Sequence, residues 1–253
     1  MRSQRYGSDL TDAQWQAIAP QFAGHRSIKH TPRRILDALL YLAKTGCQWR
    51  YLPDSFPPWQ SVYYVLRRWI ARGLLDGVLH HLRRLVRRQA GRDPSPSVAV
   101  IDSQSVKTSH VGGERGYDGG KKINGRKRHI LTDTLGMLLA VIVHRADVND
   151  SQRVPHLLDR VQGHAPQLQV VIADQGYAAT PPGMIWRLYG WAFRLVRRLQ
   201  PGFVVLAKRW VVERTFAWFG GYRRLTKDYE ALPTVSAAMV QLSAIRLMAR
   251  RLR

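Results

Sequence analysis

Three acids stand out in this sequence for their placement and for the scarcity of their own sign around them. Asp102 closes the apolar run Val98-Ala99-Val100-Ile101. Asp174, 72 residues later, closes Val170-Val171-Ile172-Ala173. A buried strand that ends in an acid delivers a carboxylate to the edge of a sheet. The next 38 residues hold no Asp or Glu, and then Glu213 appears inside Lys208-Arg209-Trp210-Val211-Val212-Glu213-Arg214-Thr215-Phe216. Three carboxylates on a cationic surface are the donor set of a divalent-metal phosphoryl-transfer site, where hard oxygens hold two Mg²⁺ about 3.5–4 Å apart. Each acid also has a plainer reading. An aspartate after a strand is often only a turn residue, and Glu213 can pair with Arg209 at i−4. Asp133 enters the turn Asp133-Thr134-Leu135-Gly136 and has that plainer reading. His110, His129 and His144 lack a metal-like spacing and read as loop or strand polar residues.

Those acids belong to a chain of 253 residues with 40 Lys+Arg against 17 Asp+Glu, a formal net charge of +23. An apolar fraction of 45% with 8 Trp excludes a disordered basic tail. The partner that such a field selects is a polyanion. The longest apolar stretch, Leu135 to Val143, is far short of the ~20 residues of a spanning helix. The segment MRSQRYGSDL has no apolar core of the signal-peptide kind. One cysteine, Cys47, excludes an intramolecular disulfide and a cysteine-built zinc site. The expectation is a cytoplasmic, nucleoid-associated protein with no membrane partner.

The break Asp93-Pro94-Ser95-Pro96-Ser97 divides the charge almost evenly. Residues 1–97 carry 16 basic and 6 acidic residues, and residues 98–253 carry 24 and 11, so the halves are +10 and +13. That suits two domains touching one polyanion, with 1–92 as a helical DNA-binding domain, 93–97 as linker and 98–253 as the chemical domain. In the first, Thr11 caps a short helix, and Thr31-Pro32 opens a helix that runs through Lys44 to Gly46. The helix Trp59 to Ala71 keeps Trp59, Val62, Tyr63, Leu66, Trp69 and Ile70 on one stripe, leaving Gln60, Ser61, Tyr64, Arg67 and Arg68 on the other face. A helix from Leu74 to Arg88 follows. Short helices, tight turns and one polar, aromatic, basic face suggest a helix-turn-helix module that meets base edges and phosphates. An ordinary amphipathic helix with a solvated face would look the same.

In the second domain, strands are expected at 97–103, 128–133, 137–144, 168–173, 191–196 and 203–207, with helices at Asp150 to Val161 and Lys208 to Phe219. Antiparallel strands followed by a helix and a parallel-type strand make a mixed α/β sheet. The stretch Gly112 to Arg128, rich in glycine and holding Lys121, Lys122, Arg126, Lys127 and Arg128, reads as a flexible phosphate-binding loop that orders on contact. The C-terminal helix Thr234 to Leu252 reads as core, with Arg246, Arg250, Arg251 and Arg253 available to DNA; as a dimer helix it would bring two active sites together.

These residues resemble a family. Val100-Ile101-Asp102-Ser103-Gln104-Ser105-Val106-Lys107, Arg115-Gly116-Tyr117-Asp118-Gly119-Gly120-Lys121-Lys122, Gly125-Arg126-Lys127-Arg128-His129, Ala173-Asp174-Gln175-Gly176-Tyr177 and Arg209 to Trp218 are similar to the core of bacterial insertion-sequence DDE transposases. The likeness is to the insertion-sequence-five family, related to the insertion-sequence-four type. Leu10 to Trp15 and Gly46-Cys47-Gln48-Trp49-Arg50 resemble that family's N-terminal helical domain. The resemblance implies an RNase H-like catalytic domain preceded by an all-helical domain, with Asp102, Asp174 and Glu213 as the acidic triad. It implies two Mg²⁺ ions per site, or Mn²⁺ in their place. The implied substrate is double-stranded DNA, cut at terminal inverted repeats and joined through its 3′-OH ends to target DNA by a homodimer or larger assembly.

The family's Tyr, Arg, Glu, Lys signature is only partly present. Arg209 fills the Arg place, Leu206 stands at the Tyr place and Gly220 at the Lys place. Arg223, Arg224 or Lys227 would have to supply the missing cation. Lys107, Lys121, Lys122, Arg126, Lys127, Arg128 and Arg209 complete the expected DNA contacts. Two rivals share much of this pattern: a catalytically silent, transposase-derived regulator, which an intact triad disfavours, and a stand-alone nuclease with the same metal site.

Overall fold

A computed structural model describes residues 6–25, 29–110, 113–196 and 210–252. The N-terminal part is helical, as expected: α1 (Asp12–Ile18), α2 (Pro32–Thr45), α3 (Trp59–Ala71) and α4 (Leu74–Gln89). Local chemistry sets the ends. Thr11 accepts from the Gln14 N–H while Gln14 reaches back to the Thr11 N–H, a closed capping box. Thr31 caps α2 through the Arg34 N–H, with Pro32 at the first helical position. Gly46 ends α2 in the left-handed region at φ 72°, where a Cβ would meet the Arg223 Cβ at 2.9 Å.

The rest is a mixed six-stranded sheet with helices on both faces: β1 (Val98–Lys107), β2 (Gly116–Asp118), β3 (Ile123–Asp133), β4 (Leu138–Arg145), β5 (Val170–Ala173) and β6 (Ala192–Leu195). The order is β2-β3-β1-β5-β6, with β4 also paired to β3. β4, β3 and β1 are antiparallel, whereas β1, β5 and β6 are parallel. α5 (Val154–Asp159) and α6 (Pro182–Tyr189) lie between strands, and α7 (Trp210–Gly220) and α8 (Pro233–Ala249) follow β6.

Alternation along β1 divides the interior. Val98 and Val100 pack with Val170 and Ile172 against one core, while Ala99 and Ile101 pack with Val171 and Ala173 against the other. The first core contains Val212 and Phe219 of α7, most of α8 and residues of α2, α3 and α4. The second holds α5 and Ile185 of α6. The helical part and the sheet therefore share one apolar core, which runs from Leu10 to Ala249. α8 is buried nearly all round, including Ser236, Gln241 and Ser243, so it runs through the centre of this core. Arg246, expected to be available to DNA, is only 9% exposed; it donates to Gly7 O and Gln14 Oε1. A buried ion pair ties the two parts as well: Arg87 Nη1 lies 2.7 Å from Asp133 Oδ2, and Asp133 Oδ1 accepts from the Leu135 and Met137 N–H groups.

Several elements differ from expectation. The helix expected from Asp150 to Val161 is a 3₁₀ turn at Asp150–Arg153 followed by the short α5, because Pro155 and the turns after Asp159 leave little room for a longer ladder. α6 was not expected, although Pro182 at its first turn and Gly190 at φ 70° after its last are start and stop signals. The expected glycine-rich loop contains β2 and the start of β3. Gly125 there sits where a Cβ would strike the Val106 carbonyl, so glycine permits close strand approach rather than mobility. The strand expected at 203–207 lies outside the described residues.

Candidate active site

The sheet places the first two acids side by side. β1 and β5 run parallel with Val98 opposite Val170, Ala99 opposite Val171 and Val100 opposite Ile172. Extending that register by two residues sets Asp102 opposite Asp174. Asp174 keeps extended backbone at φ −92°, ψ −177°, so the strand direction continues into it. Neighbouring strands are about 4.8 Å apart, and register-matched residues of a parallel pair face the same way. The face is that of Val100 and Ile172, which α7 and α8 cover. Both acids are half-buried where the pairing of the parallel strands ends: Asp174 follows β5 directly, whereas β1 does not stop near Ser103 as expected but runs on past Asp102 to Lys107 along β3. Asp102 Oδ1 accepts from the Ser103 N–H at 2.7 Å, and Asp174 Oδ1 from the Gly176 N–H at 2.9 Å. These bonds fix the carboxylate planes.

Glu213 arrives from the helix side. α7 buries Val211, Val212, Thr215 and Phe219 and leaves Glu213 exposed in its first turn. The helix is clamped onto the β3–β4 turn: Thr215 Oγ1 lies 3.1 Å from the Gly136 carbonyl, and Arg214 Nη2 donates to Leu135 O at 3.1 Å. The Arg214 guanidinium is sandwiched between Trp210 and Trp218, 4.3 and 4.6 Å from their ring centres. α7 and the two aspartates thus share one face of the sheet. Among the described residues no three His, Cys, Asp or Glu side chains lie close enough together to hold an ion, so the aspartate pair on the sheet and Glu213, exposed on α7, do not form a closed cage.

The cations divide into two groups. Lys107, Lys121, Lys122, Arg223 and Lys227 are exposed, as are Gln60, Tyr64, Arg67 and Arg68 on the outer face of α3, with Ser61 half-buried beside them. Tyr64 is 62% exposed and carries the Arg68 guanidinium 5.8 Å from its ring centre. Four other expected DNA contacts are interior. Arg126 is 0% exposed and donates to the carbonyls of Glu114, Glu230 and Ala231. Arg128 donates to Leu225 O and Lys227 O. Lys127 lies 2.7 Å from Asp150, and Arg224 pairs with Glu230 at 2.7 Å. Arg126, Lys127 and Arg128 bind the segment after α7 and the loop before α5 to β3, and Arg224 ties that segment to the Cys47 carbonyl after α2. A run of basic residues in a strand cannot all face solvent, because alternate side chains point to opposite faces. Arg209 lies outside the described residues. Gly220, at the signature Lys place, is exposed with open space around its Cα.

Asp150 stands in the sequence only as the start of an expected helix, and Tyr177 only as the end of the segment Ala173-Asp174-Gln175-Gly176-Tyr177. Asn149 is the cap, through the Ser151 N–H, and Asp150 points into a polar cluster under the sheet. Tyr177, in the single turn Gln175–Tyr177, is fully buried. No periodicity or charge pattern would have marked either.

Comparison with known proteins adds to this geometry. A family model described as a transposase of the IS4/5 family matches residues 10–79, and one described as a transposase DDE domain matches residues 93–186; together they cover well over half of the chain. Asp102 and Asp174 fall within the second match and Glu213 beyond it. A Burkholderia cepacia protein named as a transposase for insertion sequence element IS402 is 36% identical over 126 residues, 47% of this chain and 60% of that protein. The chain therefore matches less than two thirds of that relative's length. An uncharacterized Sinorhizobium fredii protein, y4sN, is 33% identical over 117 residues, 44% of this chain and 87% of its own length. Among solved structures, a pre-cleavage Mos1 transpososome covers 89% of this chain and 79% of its own at 12% identity and a TM-score of 0.33. A Mos1 paired-end complex with Mn covers 95% and 84%, with a TM-score of 0.31. At those scores the likeness carries no argument about this chain.

Proposed function

The chain belongs to the insertion-sequence DDE transposases of the IS4/5 type, and from that membership we propose that it binds the terminal inverted repeats of its element, cleaves the DNA there and joins the freed 3′-OH ends to target DNA. The observation that carries the proposal is the parallel register of β1 and β5, which, extended by two residues, sets Asp102 level with Asp174 on the face that α7 packs against; Glu213, exposed in the first turn of α7, is added as the third acid on the strength of family membership. Three carboxylates brought together on ion binding would suit Mg²⁺ or Mn²⁺, with no nitrogen or sulfur ligand among them. Asp102 and Asp174 would hold the ions from the sheet and Glu213 from the helix. Bound there, two such ions would activate the attacking oxygen and stabilise the leaving one.

The protein's own share is positioning and charge. Lys107, Lys121, Lys122, Arg223 and Lys227 neutralise the phosphates that the carboxylates would otherwise repel. The exposed face of α3, with Gln60, Tyr64, Arg67 and Arg68, lies in the duplex groove and sets register. No covalent protein nucleophile is needed, since water attacks first and a DNA 3′-OH attacks next. Acting on two element ends requires two sites, hence a homodimer or larger assembly on DNA. Among the described residues no helix is long and apolar enough to cross a membrane.

The test is cleavage of a plasmid carrying the gene with its flanking DNA. Wild-type protein with Mg²⁺ nicks or cuts at the element ends, and Glu213→Gln or Asp102→Asn does not. Undiminished cleavage by both variants refutes the assignment. DNA binding without cleavage by the wild-type protein selects the silent regulator instead.

A further inference from the structure

Under the candidate site, on the opposite face of the sheet, lies a polar cluster that phosphoryl transfer does not itself require. Successive strand residues point to opposite faces, so Ser103 points away from the face that Asp102 shares with α7. Ser103 Oγ donates to Asp150 Oδ2 at 2.8 Å, and Lys127 Nζ lies 2.7 Å from Asp150 Oδ1 while donating to Val148 O at 3.0 Å. Lys121 Nζ donates to the Ser103 carbonyl at 3.2 Å. His129, the cross-strand partner of Ser103, shares a 2.9 Å hydrogen bond with the Tyr177 hydroxyl. Tyr177 ends the single turn that Asp174 caps. A continuous set of contacts therefore joins the residue after Asp102 to the turn that starts at Asp174.

The electrostatics agree with that placement. Burial and then the fields of Asp102, Asp150 and Asp174 push the Tyr177 phenol well above its ordinary range, so it stays a neutral hydroxyl beside all three acids. Burial alone would raise the Asp150 carboxyl, but Lys127, His129 and Ser103 hold it below the usual carboxylate range. It is thus a fixed anion for Ser103 to bind.

We propose that Tyr177 and Asp150 are positioning residues: through Ser103 and His129 they fix Asp102 and Asp174 relative to one another and so set how well the site holds a divalent ion. This rests on the assignment of those two aspartates as ion-holding groups. Mg²⁺ demands near-ideal octahedral geometry and tolerates ligand displacement poorly, so loss of the tether weakens Mg²⁺ more than the less exacting Mn²⁺. A purely structural role predicts no such difference between the ions.

The experiment titrates Mg²⁺ and Mn²⁺ separately into the full chain without DNA by calorimetry, with thermal melting alongside. The variants are Tyr177→Phe, Asp150→Asn, Ser103→Ala and the pair Ser103→Ala/Asp150→Asn. The expected result is roughly a tenfold or greater loss of Mg²⁺ affinity in Tyr177→Phe and Asp150→Asn, a smaller loss for Mn²⁺, and a paired variant no worse than Asp150→Asn. Should Asp150→Asn fail to fold with Lys127 uncompensated, Tyr177→Phe, which keeps the ring in place, decides alone. Wild-type Mg²⁺ affinity in Tyr177→Phe overturns the proposal, as does a lowered melting point with both affinities unchanged. Asp102→Asn separates the two levels: ion binding that survives it refutes the metal assignment itself, whereas binding lost there but intact in Tyr177→Phe refutes only the positioning role.

Discussion

Replacing Arg126 with Met should destabilise the fold rather than loosen its grip on DNA. The guanidinium is 0% exposed, donates at 2.6–2.8 Å to the carbonyls of Glu230, Glu114 and Ala231, and lies 3.3 Å from Asp228. Hydrogen bonds to a charged group contribute about 1.5–3 kcal/mol each, and removing one partner of a buried ion pair costs about 3–5 kcal/mol. The contributions overlap, since Asp228 and the three carbonyls are left dry by one deletion, so the expected loss is about 3–5 kcal/mol in all. For a chain of this size that lowers the melting point by roughly 10 °C. Arg126→Lys should recover only part of it, because one ammonium cannot reach three divergent carbonyls. The assay is urea and thermal unfolding, paired with DNA affinity measured at several salt concentrations. Unfolding at the wild-type midpoint, together with a salt slope reduced by about one unit, would show that Arg126 contacts phosphate and would refute its interior placement.

Gly46→Ala should lower stability by more than about 1 kcal/mol in urea unfolding, because a left-handed φ of 72° and the Arg223 Cβ at 2.9 Å both oppose a methyl group. Asp37 is raised to about 6, mainly by burial and against the Leu10 N–H bond. Its folded pKa lies above the unfolded value near 3.9, so the folded state binds the extra proton between those values and stability falls as pH rises from about 4 to about 6. Asp37→Asn should flatten that part of the stability profile, and an unaltered slope would refute the assignment. Arg67→Ala/Arg68→Ala should weaken binding to all DNA sequences and reduce the salt slope by about two units without shifting the melting point, as expected for exposed residues on α3.

Much of the fold was readable because local signals agreed with the tertiary structure. Thr11, Thr31, Pro32 and Gly46 mark helix ends that exist, and the apolar runs before Asp102 and Asp174 are strands β1 and β5. What a one-dimensional pattern cannot encode is which strands are neighbours. The 72-residue spacing of the two aspartates acquires meaning only through the parallel register. Charge misled for a related reason. Arg126, Lys127, Arg128 and Arg224 look like solvated phosphate contacts in sequence, yet each finds an acid or a carbonyl far along the chain. Asp133 looked like a turn residue and is one, but its second oxygen also anchors Arg87 of α4 across the shared core. α6 carried its own start and stop signals in Pro182 and Gly190, but of its eight residues only Ile185 is buried, so no apolar stripe marks it as a helix.

Asp102, Asp174 and Glu213 are proposed to converge on one divalent-ion site. Fe²⁺ bound in place of Mg²⁺, with ascorbate and peroxide, cuts the polypeptide only within a few ångströms of the ion. Mapping those cuts by mass spectrometry should show three clusters, around residues 102, 174 and 213, all suppressed by excess Mg²⁺ and lost in Asp102→Asn. Cuts confined to other segments, or a pattern unchanged in Asp102→Asn, would contradict the account.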